Sequence, residues 1–442
     1  MEDEPLCHYI FQKLIGDTKI VDVFVAQNGG NPNDQRFLSF RIDHANIQYH
    51  PYCDDFGPMN MACTIRFIEQ LDQEMTACAK ASCRQLVLSV GGGRRRLTNA
   101  TMLLGCYLIV KTEMTPERVA EHFSLIDPGR LEDFRDATYL PVDFGLTLLD
   151  CWGGLFQGKQ CGWVDRPSEA GSPLWGSIDI EEYAHYDDPR NGDLHQVVPG
   201  KLIAFRGPHD LGGALYADDT ARGVRRFSPA FYADLLRDLG VSDVVQLSEG
   251  QYDPRAYRAA GIRHHAIVFE DCTEPPGPLV AKFLAVADAA QGAVAVHCKA
   301  GLGRTGTLIA VWMMRAHGFT ARTAMGWLRV MRPGSVIGPQ QGFLCRVQRI
   351  REEHAAARRA GSALPRAASS SPSTRGSSVR DSDGPSGSAF RVSPPSQYSE
   401  SAPPPAGLPS PTSAVAAGQV ASALDRQGAA RMRAGRAPRH TG

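Results

Sequence analysis

Residues 292–316 read GAVAVHCKAGLGRTGTLIAVWMMRA. A short apolar run meets a glycine-rich loop, and a longer apolar run follows. That order specifies a buried strand feeding a helix through a tight turn, the building unit of an α/β sheet. Two motifs overlap in the turn. Gly301, Gly303 and Gly306 match the G-x-G-x-x-G spacing of a dinucleotide loop, whereas Cys298 to Arg304 followed by Thr305 matches C-x-x-x-x-x-R-[ST]. Each motif needs the same strand, turn and helix, so only chemistry separates them.

A dinucleotide site needs an acidic residue about 20 positions beyond its glycines to hold the ribose hydroxyl. From Ala289 to Arg351 there is no Asp or Glu. That span carries Lys299, Arg304, Arg315, Arg322, Arg329, Arg332, Arg346, Arg349 and Arg351 instead, a set that suits a phosphate dianion. The Gly-Lys-[Ser/Thr] of a Walker loop is also missing.

The cysteine reading has a task for every position. A thiolate is the nucleophile, and a helix N-terminus beside an arginine favours it, so Cys298 is the candidate. Lys299, Ala300, Gly301, Leu302 and Gly303 form a loop whose N–H groups can converge on an anion. Arg304 can grip two phosphate oxygens in a fork. Thr305 can donate its hydroxyl to the departing sulfur. A serine or tyrosine oxygen leaves poorly unless protonated, so an acid must face the cysteine. The loop VFEDCTEPPGP offers Glu270, Asp271 and Glu274, with Asp271 the first choice and Glu270 the second. His297 is expected to brace the loop backbone.

The rest of the chain supplies context. With 442 residues and 43% hydrophobic content it is long enough for two or three domains with sizeable cores. The formal net charge is zero, which gives no reason to expect nucleic acid as a partner. Eleven cysteines at irregular spacing, with no C-x-x-C pair, argue for reduced thiols inside the cell and against structural zinc. The acidic N-terminus lacks a secretory pattern, and the longest apolar run, 101–110, is too short to span a bilayer. No metal or cofactor and no membrane association is therefore expected.

The expected fold class is α/β, with two tandem phosphatase-like domains whose partly parallel sheets are flanked by helices. LVLSVGGGRRRLTNATMLLG in the first half parallels VAVHCKAGLGRTGTLIAVWM in the second. Val90 then stands where Cys298 does, and Arg96 where Arg304 does, so the first copy has no nucleophile. The expected boundaries are an inert domain over 1–165, a linker with an acidic run over 166–196, and a catalytic domain over 197–355. A disordered Ser/Pro/Arg/Ala-rich tail is expected over 356–442. Ser371, Ser393 and Ser410 precede proline there, as proline-directed kinase sites do.

AVHCKAGLGRTGTLIA (295–310) and RPGSVIGPQQGFL (332–344) closely resemble the cell-division-cycle fourteen phosphatases, a branch of the dual-specificity protein phosphatases. DFGPMNMA (55–62), FRDATY (134–139), EEYAHY (181–186) and NGDLHQVVPGKLIAFRGPH (191–209) are similar to further segments of that family. The resemblance implies hydrolysis of phosphoserine before proline, with phosphothreonine and phosphotyrosine also accepted, through a phosphocysteine. It implies roles in mitotic exit and cytokinesis, and sites in the nucleus, nucleolus, cytoplasm and spindle pole or centrosome. It makes Cys298 the nucleophile, Arg304 the phosphate binder and Asp271 the acid. It gives either Gln340 or Gln341 the task of positioning water. It also implies an acidic groove for a basic substrate residue, built here from Asp187, Asp193 and Asp188. The chain departs from the family pattern at Ala184, where an acid is usual, and at Cys272, where glycine is usual. A phosphoinositide phosphatase of the tensin-homologue type is a rival, but Leu302 stands where that loop has a second lysine. A non-catalytic phosphoprotein-binding module is a second rival, and the joint presence of Cys298, Arg304 and Asp271 opposes it.

Overall fold

A computed structural model of the chain describes residues 4–32, 36–169, 171–220, 224–250 and 252–362. The first half opens with strands β1 (Leu6–Ile15), β2 (Lys19–Gln27) and β3 (Phe37–Phe40) and helix α1 (Met61–Lys80). Strand β4 (Gln85–Val90), α2 (Arg94–Thr112), α3 (Pro116–His122) and α4 (Leu148–Gln160) complete it. Its sheet runs β1-β2-β4-β3, with β1 antiparallel to β2 and the other pairs parallel. The run at 101–110 lies inside α2, where every residue from Leu97 to Val110 is buried. A helix apolar on all sides belongs in a core.

The expected linker is folded. It holds the short pair β5 (Leu174–Trp175) and β6 (Ile178–Asp179), and helix α5 (Ile180–Asp187), capped by the Asp179 carboxylate. It also holds the start of β7 (Leu194–Val198), the antiparallel edge of the second sheet. The remaining elements are β8 (Leu202–Phe205), the hairpin β9 (Tyr216–Asp219) and β10 (Val224–Phe227), α6 (Pro229–Asp238) and β11 (Val241–Gln246). Then come α7 (Arg255–Ala259), β12 (Arg263–Ala266), α8 (Gly277–Ala289), β13 (Ala293–His297), α9 (Gly303–Ala316), α10 (Ala321–Met331) and α11 (Pro339–Ser362). The second sheet is ordered β12-β11-β13-β8-β7, so β13 is its central strand and is buried throughout.

The expected tail begins too early. Helix α11 continues to Ser362, because the sequence HAAARRA is rich in strong helix formers. The tail from 363 onward, including Ser371, Ser393 and Ser410, lies outside the described residues. The two halves do match locally. Gly93 and Gly301, at corresponding positions after β4 and β13, both have left-handed φ, of 100° and 70°. The likeness stops at the arginines: Arg96 is exposed and Arg304 buried.

One continuous apolar core spans both halves. Its seam is α4 against α10. A Cβ on Gly154 would lie 2.4 Å from the Trp327 backbone nitrogen, and one on Gly326 would lie 2.6 Å from the Asp150 carbonyl. Only glycine lets the two helix backbones come so close. The buried Trp327 ring closes the gap and donates to the Val197 carbonyl at 2.8 Å. Arg322 adds an ion pair to Asp150 at 2.7 Å across the seam. Gly154→Ala is therefore expected to destabilise the protein by about 1–3 kcal/mol, because overpacking here outweighs alanine's helix propensity. Urea unfolding of the variant, with tryptophan fluorescence as the probe, checks this.

Candidate active site

Strand β13 delivers Cys298 to the C-terminal edge of the parallel strands, and the turn into α9 wraps around it. Cys298 is a free thiol and only 3% exposed. Helix α9 starts without a side-chain cap, so its first N–H groups stay available to an anion. Each glycine of the turn has a steric reason. A Cβ on Gly301 would lie 2.1 Å from the Phe205 carbonyl oxygen, and Gly303 and Gly306 face Gln340 and Val336.

Arg304, 5% exposed, reaches back under the turn. Its Nη1 donates to the Phe269 carbonyl at 2.9 Å and to that of Leu247 at 3.2 Å. Its Nε pairs with Asp271 at 3.0 Å. The structure thus brings Cys298, Arg304 and Asp271 together. Glu270 is exposed, and Glu274 is engaged with Arg346 on α11. Thr305 Oγ1 is buried with no hydrogen-bond partner among the described residues.

The two glutamines separate. Gln340 donates to the Thr273 carbonyl of the acid loop at 3.1 Å, accepts from the Ile337 N–H at 3.2 Å and abuts Gly303. Gln341 accepts from Arg329 at 2.7 Å and faces away from that loop. Gln340 is therefore the one beside both the phosphate loop and the acid loop.

Cys272 has φ of 56°, the left-handed region that glycine occupies at no steric cost. Its thiol is pushed up to about 12, first by burial and then by Asp271, with Arg304 opposing. It is no competing nucleophile at neutral pH. His297 is 1% exposed, with Nδ1 3.0 Å from the Cys298 carbonyl and Nε2 2.7 Å from the Tyr252 hydroxyl, and so braces the loop.

Two features of the charge distribution emerge only in the fold. The arginine-rich span does not act as an open basic field. Arg315 pairs with Asp288, Arg322 with Asp150 and Arg346 with Glu274, while Arg329 and Arg332 are 1% exposed. Carboxylates from other segments neutralise charges that look unopposed along the chain. The three carboxylates expected to line an acidic groove also have partners within the protein. Asp187 accepts from Asn60 and His195, both at 3.0 Å. Asp188 binds Arg190, and Asp193, 7% exposed, pairs with Arg332 at 2.9 Å. Each carboxylate has found a partner inside the protein, and Asp193, the one that is buried, most needs it.

Residues from the first half also complete the site. Tyr52 and Ala137 pack with Ile337 over Leu302, which is 1% exposed. Asp136 accepts from the Gly338 N–H at 2.7 Å, securing the turn before Gln340. Gly207 lies so near the loop that a Cβ would sit 2.2 Å from the Cys298 carbonyl oxygen. Asp136 and Gly207 lie in FRDATY and in the 191–209 segment, but nothing local in either marks its task, since both act through contacts remote in sequence.

A cysteine turn over a buried arginine that is ion-paired to a loop aspartate, set on an α/β sheet, is the kind of arrangement found in cysteine phosphatases. Residues 19–158 match the family model for the dual specificity protein phosphatase N-terminal half, and 236–352 that for the dual specificity phosphatase catalytic domain. The human "Dual specificity protein phosphatase CDC14C" is 35% identical over 305 residues, 69% of this chain and 64% of that protein. The Caenorhabditis elegans "Tyrosine-protein phosphatase cdc-14" is 36% identical over 308 residues, 69% of this chain and 41% of that protein. The Schizosaccharomyces pombe "Tyrosine-protein phosphatase CDC14 homolog" is 34% identical over 309 residues, 69% of this chain and 55% of that protein. The chain belongs to the CDC14 family of dual-specificity phosphatases. It spans less than two thirds of the length of these relatives.

Burial pushes the His297 imidazole down from its ordinary 6.5 to about 4. A base kept neutral in the folded state contributes stability above the unfolded value, and that stability drains away as pH falls through the window between the two. Acidification from 6.5 to about 4 is expected to cost about 3 kcal/mol through this group. Urea midpoints measured across the window should fall in the wild type, and fall less steeply in His297→Asn.

Proposed function

We propose that this chain is a metal-independent protein phosphatase working through a phosphocysteine, with phosphoserine before proline as its main target. One observation carries the reading. Arg304 is buried beneath the cysteine turn with Asp271 as its ion-pair partner, so the phosphate-gripping group and the acid lie one contact apart. Cys298 Sγ attacks phosphorus in line. The N–H groups of 299–304 and the Arg304 fork take the equatorial oxygens, and Asp271 protonates the leaving serine oxygen. Water then attacks the phosphocysteine, oriented by Gln340 and deprotonated by Asp271. The sulfur departs as a thiolate that Thr305 Oγ can hydrogen-bond. Positioning and charge stabilisation supply most of what such a transfer needs.

Protein substrates are favoured over phosphoinositides at this site. Leu302 is covered by Tyr52, Ala137 and Ile337, so the turn adds no second lysine for a highly charged headgroup. Roles in mitotic exit and cytokinesis, and nuclear, nucleolar or spindle-pole placement, complete the proposal by analogy with the family. Among the described residues no helix is long and apolar enough to cross a membrane.

Cys298→Ser is expected to abolish turnover of an aryl phosphate and of phosphopeptides alike; retained turnover would reject the mechanism. Asp271→Ala should slow phosphopeptide hydrolysis by about 10²–10⁴-fold and an aryl phosphate with a good leaving group far less. Equal losses would move the acid to Glu270. Specificity is read from kcat/KM on matched phosphoserine-proline, phosphoserine-alanine and phosphotyrosine peptides, the first expected to be highest.

A further inference from the structure

Two of the carboxylates expected to meet substrate, Asp187 and Asp193, are joined to the back of the phosphate loop. Arg332, 1% exposed, donates from Nη2 to the Ala300 carbonyl at 2.9 Å and from Nε to the Gly301 carbonyl at 2.8 Å. A trans peptide holds its carbonyl and its N–H in opposite directions. Drawing these two carbonyls toward Arg332 turns the N–H groups of Gly301 and Leu302 the other way, which is how an anion nest is made.

Arg332 is itself held from behind. Its Nη1 donates to His195 Nδ1 at 2.8 Å and pairs with Asp193 Oδ1 at 2.9 Å. A guanidinium cannot accept a hydrogen bond, so Nδ1 is the bare nitrogen and Nε2 bears the proton. That Nε2 donates to Asp187 Oδ1 at 3.0 Å. Asp187 Oδ2 accepts at 3.0 Å from Nδ2 of Asn60, whose Oδ1 caps α1 by accepting from the Cys63 N–H at 2.8 Å. Every donor and acceptor in the series has its direction set by chemistry. His195 is 2% exposed and its ring lies 4.8 Å from that of Tyr183, whose hydroxyl donates to the Met331 carbonyl.

We propose that Asp187 and His195 are positioning residues, which with Asn60 relay the first half of the protein through Arg332 to the Ala300 and Gly301 carbonyls and so preset the phosphate nest. This rests on the reading of 298–304 as the phosphate loop. It differs from the acidic-groove role in the substrate it affects. A groove acid matters only to peptides with a downstream basic residue, whereas a nest-setting residue matters to any phosphate, including the bare ion.

The test uses the full chain and inorganic phosphate as a competitive inhibitor of aryl phosphate hydrolysis. Asp187→Ala and His195→Phe are expected to raise the phosphate inhibition constant roughly tenfold, the worth of one hydrogen bond to a charged group, and to lower kcat/KM on aryl phosphate and on every phosphopeptide alike. His195→Gln, which keeps one acceptor and one donor, should recover much of the loss. Folded variants with an inhibition constant within about twofold of wild type would overturn the relay, whether the remaining defect is confined to peptides with a downstream basic residue or to thermal stability. If Asp187→Ala does not fold, the His195→Phe and His195→Gln pair decides, since phenylalanine fills the same space. Full turnover in Cys298→Ser would instead reject the loop assignment itself, a distinct outcome.

Discussion

Three buried guanidiniums organise the site, and each needs partners for as many as five N–H donors. Arg304 gathers the Leu247 and Phe269 carbonyls and Asp271, which fixes the acid loop beside the cysteine turn. Arg329 gathers the Ser335 and Val336 carbonyls and Gln341, which shapes the turn before α11. Arg332 gathers the Ala300 and Gly301 carbonyls, His195 and Asp193, which sets the phosphate loop from behind. A buried cation left with unmatched donors is costly, so each arginine forces neighbouring backbone into one arrangement.

That requirement explains why a half without a nucleophile remains part of the machine. Asp136, Tyr52 and Ala137 belong to the first half and touch Leu302 or the turn before Gln340, and Asn60 of the same half reaches Asp187. The glycine seam of α4 and α10 makes such contacts dependable. Two helices whose backbones meet, with Trp327 filling the space between, allow little sliding, and the core is continuous across them.

Much was legible along the chain because some constraints are local. The β13 strand, the cysteine turn and α9 follow from apolar patterning and from glycines whose spacing matches one chemistry. Arg304 and Thr305 follow by counting from Cys298, and the need for an acid on a loop after a strand narrows the choice to Glu270, Asp271 and Glu274, with Asp271 preferred. The choice between Gln340 and Gln341 could not be made that way, because adjacent residues at a helix start point to different neighbours and only those neighbours distinguish them. The partners of the acidic run were hidden for a related reason. Asp187 and Asp193 look solvated in sequence, yet His195, Asn60 and Arg332 reach them from elsewhere.

By itself, then, the sequence determined an α/β fold with a cysteine-to-arginine turn between a strand and a helix, and a second copy lacking the thiol. These depend on interactions within a few residues or on spacings that tolerate one geometry. Tertiary structure alone decided which glutamine lies beside the cysteine turn, why Leu302 is covered, and that Asp187 and Asp193 meet His195 and Arg332. Those outcomes depend on which charges meet across the packed halves. Pairing of that kind is a competition among distant partners for a few buried positions, and no local pattern in the chain records who wins it.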